Sequence, residues 1–236
     1  MRVLVACEFS GYVRDAFRRH GHFAVSCDLL RSEAKPGYHY QGDVRDILSD
    51  GWDLMIAHPP CTYIAIAGAV WYRAPGRARK TVEALRFVRL LMNAPIARIA
   101  IENPVGLIST RIRKPDQMIH PWQFGHREEK KTHLWLKNLP LLRPTLFIPH
   151  RYHTRYLDDV DVVTRSKVRS ITFPGVAEAM AEQWGSLGVL SNRTGVQDPG
   201  NSQLRYDARR AKYRLQNLQQ ELLSTNHSVQ RHQGKT

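Results

Sequence analysis

Cys61 closes the run His58-Pro59-Pro60-Cys61, directly behind the apolar stretch Asp53-Leu-Met-Ile-Ala57. Two prolines forbid continuation of a strand or helix and stiffen the loop that carries the thiol. Glu102, in Glu102-Asn103-Pro104, follows a second apolar stretch, Arg98-Ile-Ala-Ile101. A lone cysteine is most often an inert buried residue, and a lone loop carboxylate usually pairs locally. A thiol and a carboxylate at neighbouring strand ends, however, form a nucleophile and acid pair.

The elements that must position this pair alternate strand and helix. Val3–Cys7, Phe23–Cys27, Asp53–Ala57 and Arg98–Ile101 read as buried strands, because strands covered on both faces are continuous apolar runs. Val13, Ala16 and Phe17 have helical spacing, with an expected stop near His20-Gly21. A second helix is expected from a Thr81 cap, with Val82, Leu85, Val88, Leu90 and Met92 along one side. Leu134–Leu136 reads as a further strand, and Gly175–Trp184 as a helix. The pattern predicts an α/β fold: an open, mostly parallel sheet with helices on both faces, whose ligands sit beyond the carboxyl ends of the strands. Its domain spans residues 1–190, with a small substrate-side insertion at 137–172. The Asn-, Gln-, Ser- and Arg-rich stretch 191–236 is expected to be a basic, partly disordered tail with a polar helix over about 203–223.

Three further residues lie where a nucleotide-like ligand would bind. Phe9-Ser10-Gly11 makes a turn after the first strand, Asp28 ends the second, and Asp43 stands in Gly42-Asp43-Val44. A turn glycine lets backbone approach a ligand, and strand-end acids can accept ribose hydroxyls or an adenine amino group. A dinucleotide fingerprint with three glycines is absent, which disfavours a nicotinamide or flavin site.

Charge points to a polyanion. Lys and Arg number 35 against 21 Asp and Glu in 236 residues, a formal net charge of +14. Residues 1–50 carry seven basic and seven acidic side chains, whereas residues 51–150 carry 15 and six, a surplus of nine. Behind Cys61, Trp71, Tyr72, Arg73, Arg77, Arg79 and Lys80 mix aromatic and basic groups, suited to stacking on bases and gripping phosphates. The competing reading is a solvated basic loop. The three cysteines suit free thiols in a reducing compartment, and the histidines lack zinc-finger partners, so no metal is expected. No apolar run spans a bilayer; the protein is expected to be cytoplasmic, monomeric and without a membrane partner.

Over residues 2–136, with a looser echo at 171–186, the chain resembles the DNA cytosine-C5 methyltransferases, in particular their short phage-type members. Phe9-Ser10-Gly11 is similar to the Phe-x-Gly that opens the S-adenosylmethionine site in that family. Asp28 is similar to its ribose-binding acid and Asp43-Val44 to its adenine-contacting pair, while Pro60-Cys61 matches its Pro-Cys nucleophile and Glu102-Asn103 its Glu-Asn. The resemblance implies a Rossmann-like methyltransferase fold and S-adenosylmethionine as cofactor. It also implies DNA, duplex or single-stranded, as partner, in a bacterial or phage-infected cell and a restriction-modification setting. Val13 stands where the family has a second glycine, and Glu128-x-Lys130-x-Thr132 replaces its Gln-x-Arg-x-Arg. Lys130 is expected to supply the missing positive charge, without the bidentate fork of an arginine.

The implied chemistry is consistent with the residues. Addition of the Cys61 thiolate to carbon 6 of cytosine makes carbon 5 nucleophilic, and Glu102, its pKa raised by burial, would protonate N3. Two alternatives stay open. The Pro-Pro loop is close to the Asx/Ser-Pro-Pro-aromatic loop of exocyclic-amine methyltransferases, and Val13 suits an inactive DNA-binding or anti-restriction protein on the same fold.

Overall fold

β1 (Arg2–Ala6) is buried along its length, and Val3, Leu4, Val5 and Ala6 expose no surface. Such a strand must lie inside a sheet covered on both faces. The computed structural model describes residues 1–34, 37–66, 74–149, 161 and 167–188, all in the unit Met1–Ser191. β1 pairs in parallel with β2 (Phe23–Asp28) and β4 (Leu54–Ala57), β2 with β3 (His39–Gln41), and β4 with β5 (Arg98–Pro104). β7 (Thr132–Lys137) runs antiparallel between β5 and β6 (Gln117–Ile119). The strand order is β3-β2-β1-β4-β5-β7-β6. The order reverses between β1 and β4, so the crevice beyond their carboxyl ends is where this architecture binds ligands.

α1 (Tyr12–Arg19) and α4 (Pro174–Gly185) pack together over one face. Phe17, Met180 and Trp184 there meet the alternate residues Val3, Val5, Leu54 and Ile56. α2 (Arg77–Met92) and the single turn α3 (Ile108–Arg111) pack against each other, and α2 against β5. α1 stops where expected, with Gly21 at φ 80 behind the His20 cap.

Two expectations are corrected. α2 starts at Arg77 behind Gly76 (φ 73), one turn before Thr81, whose hydroxyl instead donates to the Tyr63 carbonyl at 3.1 Å. Its buried face is Leu85, Val88 and Leu91, while Val82 and Leu90 face outward. β5 also runs past Ile101, so Glu102 and Asn103 belong to the strand, opposite Leu134 and His133 of β7. The expected tail at 191–236 lies outside the described residues, as do 150–160 and 162–166 of the expected insertion.

Candidate active site

The loop that carries Cys61 is fixed at both ends. The His58 amide extends the sheet by donating to the Ala6 carbonyl at 2.9 Å, and Asn103 Nδ2 donates to the Pro59 carbonyl at 2.7 Å. The Cys61 carbonyl then accepts from the Ile64 and Ala65 amides at 3.0 and 2.8 Å, closing a turn. Beyond it the Leu107 amide donates to the Ile64 carbonyl at 2.8 Å. A side chain at Gly106 would put its Cβ 2.1 Å from that carbonyl oxygen, so glycine is required for the two segments to meet. Cys61 is half-buried. Burial raises its thiol pKa, while the positive charges of Lys130 and Arg169 lower it and Glu102 raises it.

Glu102 stands at the centre of the polar contacts. Its Oε2 lies 2.9 Å from His58 Nδ1 and accepts from the Thr172 hydroxyl at 3.1 Å, with the His58 and Glu102 side chains only 10% and 12% exposed. Both bonds fall on one oxygen, which leaves Oε1 for a ligand. Burial opposes ionisation of Glu102, but the charge and hydrogen bond of His58 outweigh it, with help from Lys130 and Thr172, and hold the carboxyl at about 2. Burial equally opposes charging of His58, and the Glu102 carboxylate with Glu8 behind it raises the imidazole above its ordinary value. A Glu102 kept protonated by burial is therefore corrected: the proton of this pair resides on histidine. Lys130 Nζ donates to the Arg169 carbonyl at 2.8 Å and lies 5.7 Å from the centre of the Phe173 ring. Its charge reaches Cys61, Glu102 and His58 alike.

The turn after β1 has a cap of its own. Glu8, buried at the strand end, accepts from the Val13 amide at 2.7 Å and the Arg14 amide at 3.3 Å, so a carboxyl of the chain itself fills the amino end of α1. That is where a pyrophosphate sits in dinucleotide-binding folds, and the cap agrees with the missing fingerprint. Phe9 is buried, and Gly11 (φ 81) leaves room for the Arg14 guanidinium, 2.6 Å from the position of an added Cβ. Asp28 Oδ1 accepts from the Leu30 amide at 2.8 Å, the Leu29 amide also favours its charged form, and burial raises its pKa. Asp43 is held by Arg45 through both oxygens, which lowers its pKa, and it caps the short turn Val44–Asp46 in which Val44 is buried. Of the two strand-end acids, Asp28 is held by backbone amides and Asp43 by the Arg45 side chain as well. Pro60 lies exposed beside Cys61.

The basic residues divide. Arg77 Nη2 donates to the Thr62 carbonyl at 2.6 Å, and Arg77 and Lys80 lie 4.9 and 5.3 Å from the centre of the Tyr63 ring, two residues after Cys61. Arg79 instead pairs with Glu83 at 2.8 Å on the surface. Trp71, Tyr72 and Arg73 lie outside the described residues.

Five residues of the site escape the sequence reading: Glu8, His58, Tyr63, Asn103 as a loop anchor, and Thr172. His58 and Glu8 carry a signal, a polar side chain at the end of an apolar strand. Thr172 carries none, since it meets Glu102 across 70 positions. Among the described residues no cluster of His, Cys, Asp and Glu could hold a metal ion, and no helix is long and apolar enough to cross a membrane.

No protein-family model matches the chain, and no curated protein does. Two solved structures are similar to it at 15% identity. One is a candidate DNA modification methyltransferase encoded within a prophage of E. coli (TM-score 0.42, covering 64% of this chain and 53% of that one). The other is the Entamoeba histolytica methyltransferase EhMeth (TM-score 0.41, covering 64% and 57%). The chain spans little more than half the length of either. Its own strand order, with the reversed β7 between β5 and β6, is that of the Rossmann-like methyltransferase fold.

Proposed function

We propose that this protein is an S-adenosylmethionine-dependent DNA methyltransferase that modifies carbon 5 of cytosine through a covalent adduct with Cys61. The observation that carries the reading is the convergence of a fixed thiol, a buried carboxylate and a lysine ammonium at the carboxyl edge of β4 and β5. The crevice beyond β1 and β2 offers the cofactor the Asp28 carboxylate, held by the backbone amides next to it, for a ribose hydroxyl. When bound, that group supplies an electrophilic methyl on a sulfonium.

The chain's own part is nucleophilic. Cys61 Sγ, as thiolate, bonds to C6 of the base, and the electron pair gained makes C5 a nucleophile. Lys130 favours the thiolate, and Glu102 Oε1, left without a contact by His58 and Thr172, would serve the N3 and amino edge of the ring. Loss of the C5 proton to solvent water after substitution breaks the Sγ–C6 bond and restores the thiolate. Tyr63 with Arg77 and Lys80, and the net charge of +14, support a nucleic acid over a free base as substrate. A base inside a duplex must leave the stack to reach this edge.

One observation favours methylation of an exocyclic amine instead. An ionised Glu102 is an acceptor for an amine N–H, and donates nothing by itself. Incubation with DNA carrying 5-fluorocytosine separates the two: carbon chemistry leaves a denaturation-resistant adduct, lost in Cys61→Ser. Amine chemistry gives no adduct, and digested product shows N4-methylcytosine or N6-methyladenine by mass spectrometry.

A further inference from the structure

Carbon methylation needs a proton at N3 as the thiolate adds, yet the nearest carboxyl is ionised. We infer that His58 is the proton reservoir of the site, a positioning residue that charges Glu102 through the 2.9 Å contact between Nδ1 and Oε2. The inference rests on the carbon-5 reading above and names the residue that makes it work.

Three geometric facts support it. His58 lies at the end of β4, three residues before Cys61, its side chain nine-tenths buried, so the proton it holds is shielded from exchange with bulk water. Its other nitrogen, Nε2, is buried and makes no hydrogen bond. A histidine with a purely structural task ordinarily satisfies both nitrogens, whereas this ring has a single polar outlet, Glu102. Glu8 acts on the ring through charge, with both its oxygens committed to α1, one accepting from Val13 and the other from Arg14. It can therefore favour the protonated ring by its field without accepting the proton.

As the Sγ–C6 bond forms, electron density moves to N3 and raises its basicity. The Nδ1 proton passes to Glu102 Oε2 and, once the carboxyl group has turned, that same proton passes on to N3, so Glu102 is ionised again and His58 is left neutral with its remaining proton on Nε2. When the C5 proton is lost and Cys61 is expelled, N3 returns its proton along the same path. No charge enters or leaves the pair over the cycle. The charged and titratable groups that act on His58 are Glu102 on β5, Glu8 after β1, Asp28 on β2 and Lys130 before β7. The first three favour its charged form, and Lys130 opposes it.

The test is the pH profile of covalent trapping, with S-adenosylmethionine and a random-sequence duplex carrying 5-fluorocytosine, followed on denaturing gels. Wild type should give a bell: a rising limb from Cys61 and a falling limb, tenfold per pH unit, as His58 loses its proton. His58→Asn should trap at least tenfold more slowly at pH 6.5 and lose the falling limb. Glu8→Gln, which keeps an acceptor for the Val13 amide, should move the falling limb to lower pH and so serves if His58→Asn fails to fold. An adduct whose falling limb survives in His58→Asn, or stays in place in Glu8→Gln, overturns the inference and leaves the carbon-5 reading standing. No adduct with wild type at any pH overturns that reading, and the inference with it.

Discussion

Asn103 donates to the carbonyl of Pro59 at 2.7 Å, and this one bond joins the strand that carries Glu102 to the loop that carries Cys61. Asn103 is buried, so removing its side chain leaves a carbonyl without a donor. Asn103→Ala should cost about 1–3 kcal/mol in denaturant unfolding. Its trapping rate should fall by about a hundredfold, because an ångström of misplacement between reacting groups costs that much. A full stability loss with an unchanged trapping rate would show that the bond holds the fold and not the thiol.

The His58–Glu102 pair sets a pH window for stability. Glu102 is lowered from 4.5 to about 2, so its contribution is present above 4.5 and is lost as pH falls toward 2. His58 is raised above 6.5, so its contribution is present below 6.5 and is lost as pH climbs through the raised value. The pair is therefore worth most between 4.5 and 6.5. On the carboxyl side it contributes about 3 kcal/mol at 1.36 kcal/mol per pKa unit. Thermal unfolding should show Tm falling above that window in wild type and much less in Glu102→Gln. A wild-type Tm that climbs steadily from pH 6 to pH 8 contradicts the assignment.

The two strand-end acids should differ in cofactor binding. Asp28 is held by the backbone amides of Leu29 and Leu30, whereas Asp43 also spends both oxygens on the Arg45 guanidinium. By calorimetry, Asp28→Ala should weaken S-adenosylmethionine binding more than about tenfold, as loss of one or two charged hydrogen bonds does. Asp43→Ala should change it by less than about threefold. Equal losses would place the adenosine differently.

Salt dependence measures the basic edge. Replacing Arg77, Arg79 and Lys80 together with Ala should reduce the slope of log affinity against log salt by about two, at roughly 0.9 per phosphate neutralised. Two is expected rather than three because Arg79 is already paired with Glu83. An unchanged slope in duplex-binding assays would remove this edge from the footprint.

How far the sequence reveals this architecture depends on the length of its apolar runs. β1, β2, β4 and β5 are legible because buried parallel strands are unbroken apolar segments, and their ends place Asp28, Cys61 and Glu102 on one edge. β3 and β6 are three residues long with a single buried side chain each, so no run announces them. The continuation of β5 through Pro104 depends on pairing with β7, some thirty positions away. Thr81 has the chemistry of a helix cap, yet its hydroxyl finds the Tyr63 carbonyl and the left-handed Gly76 starts the helix. Cys61 and Glu102 are thus readable as residue types, but the protonation of Glu102 is not. That follows from His58 and Glu102 meeting across 44 positions in a buried contact, which no local pattern encodes.

Thr172 and the Arg169 carbonyl touch Glu102 and Lys130, so the chain that leaves the sheet at Lys137 comes back to the candidate site. The outgoing stretch is tied to the fold, with Leu142 in the core and the Leu146 and Ile148 amides donating to the Gln123 and Trp122 carbonyls at 3.2 and 2.9 Å, so only the returning end, at Arg169 and Thr172, transmits a displacement of this segment to Glu102 and Lys130.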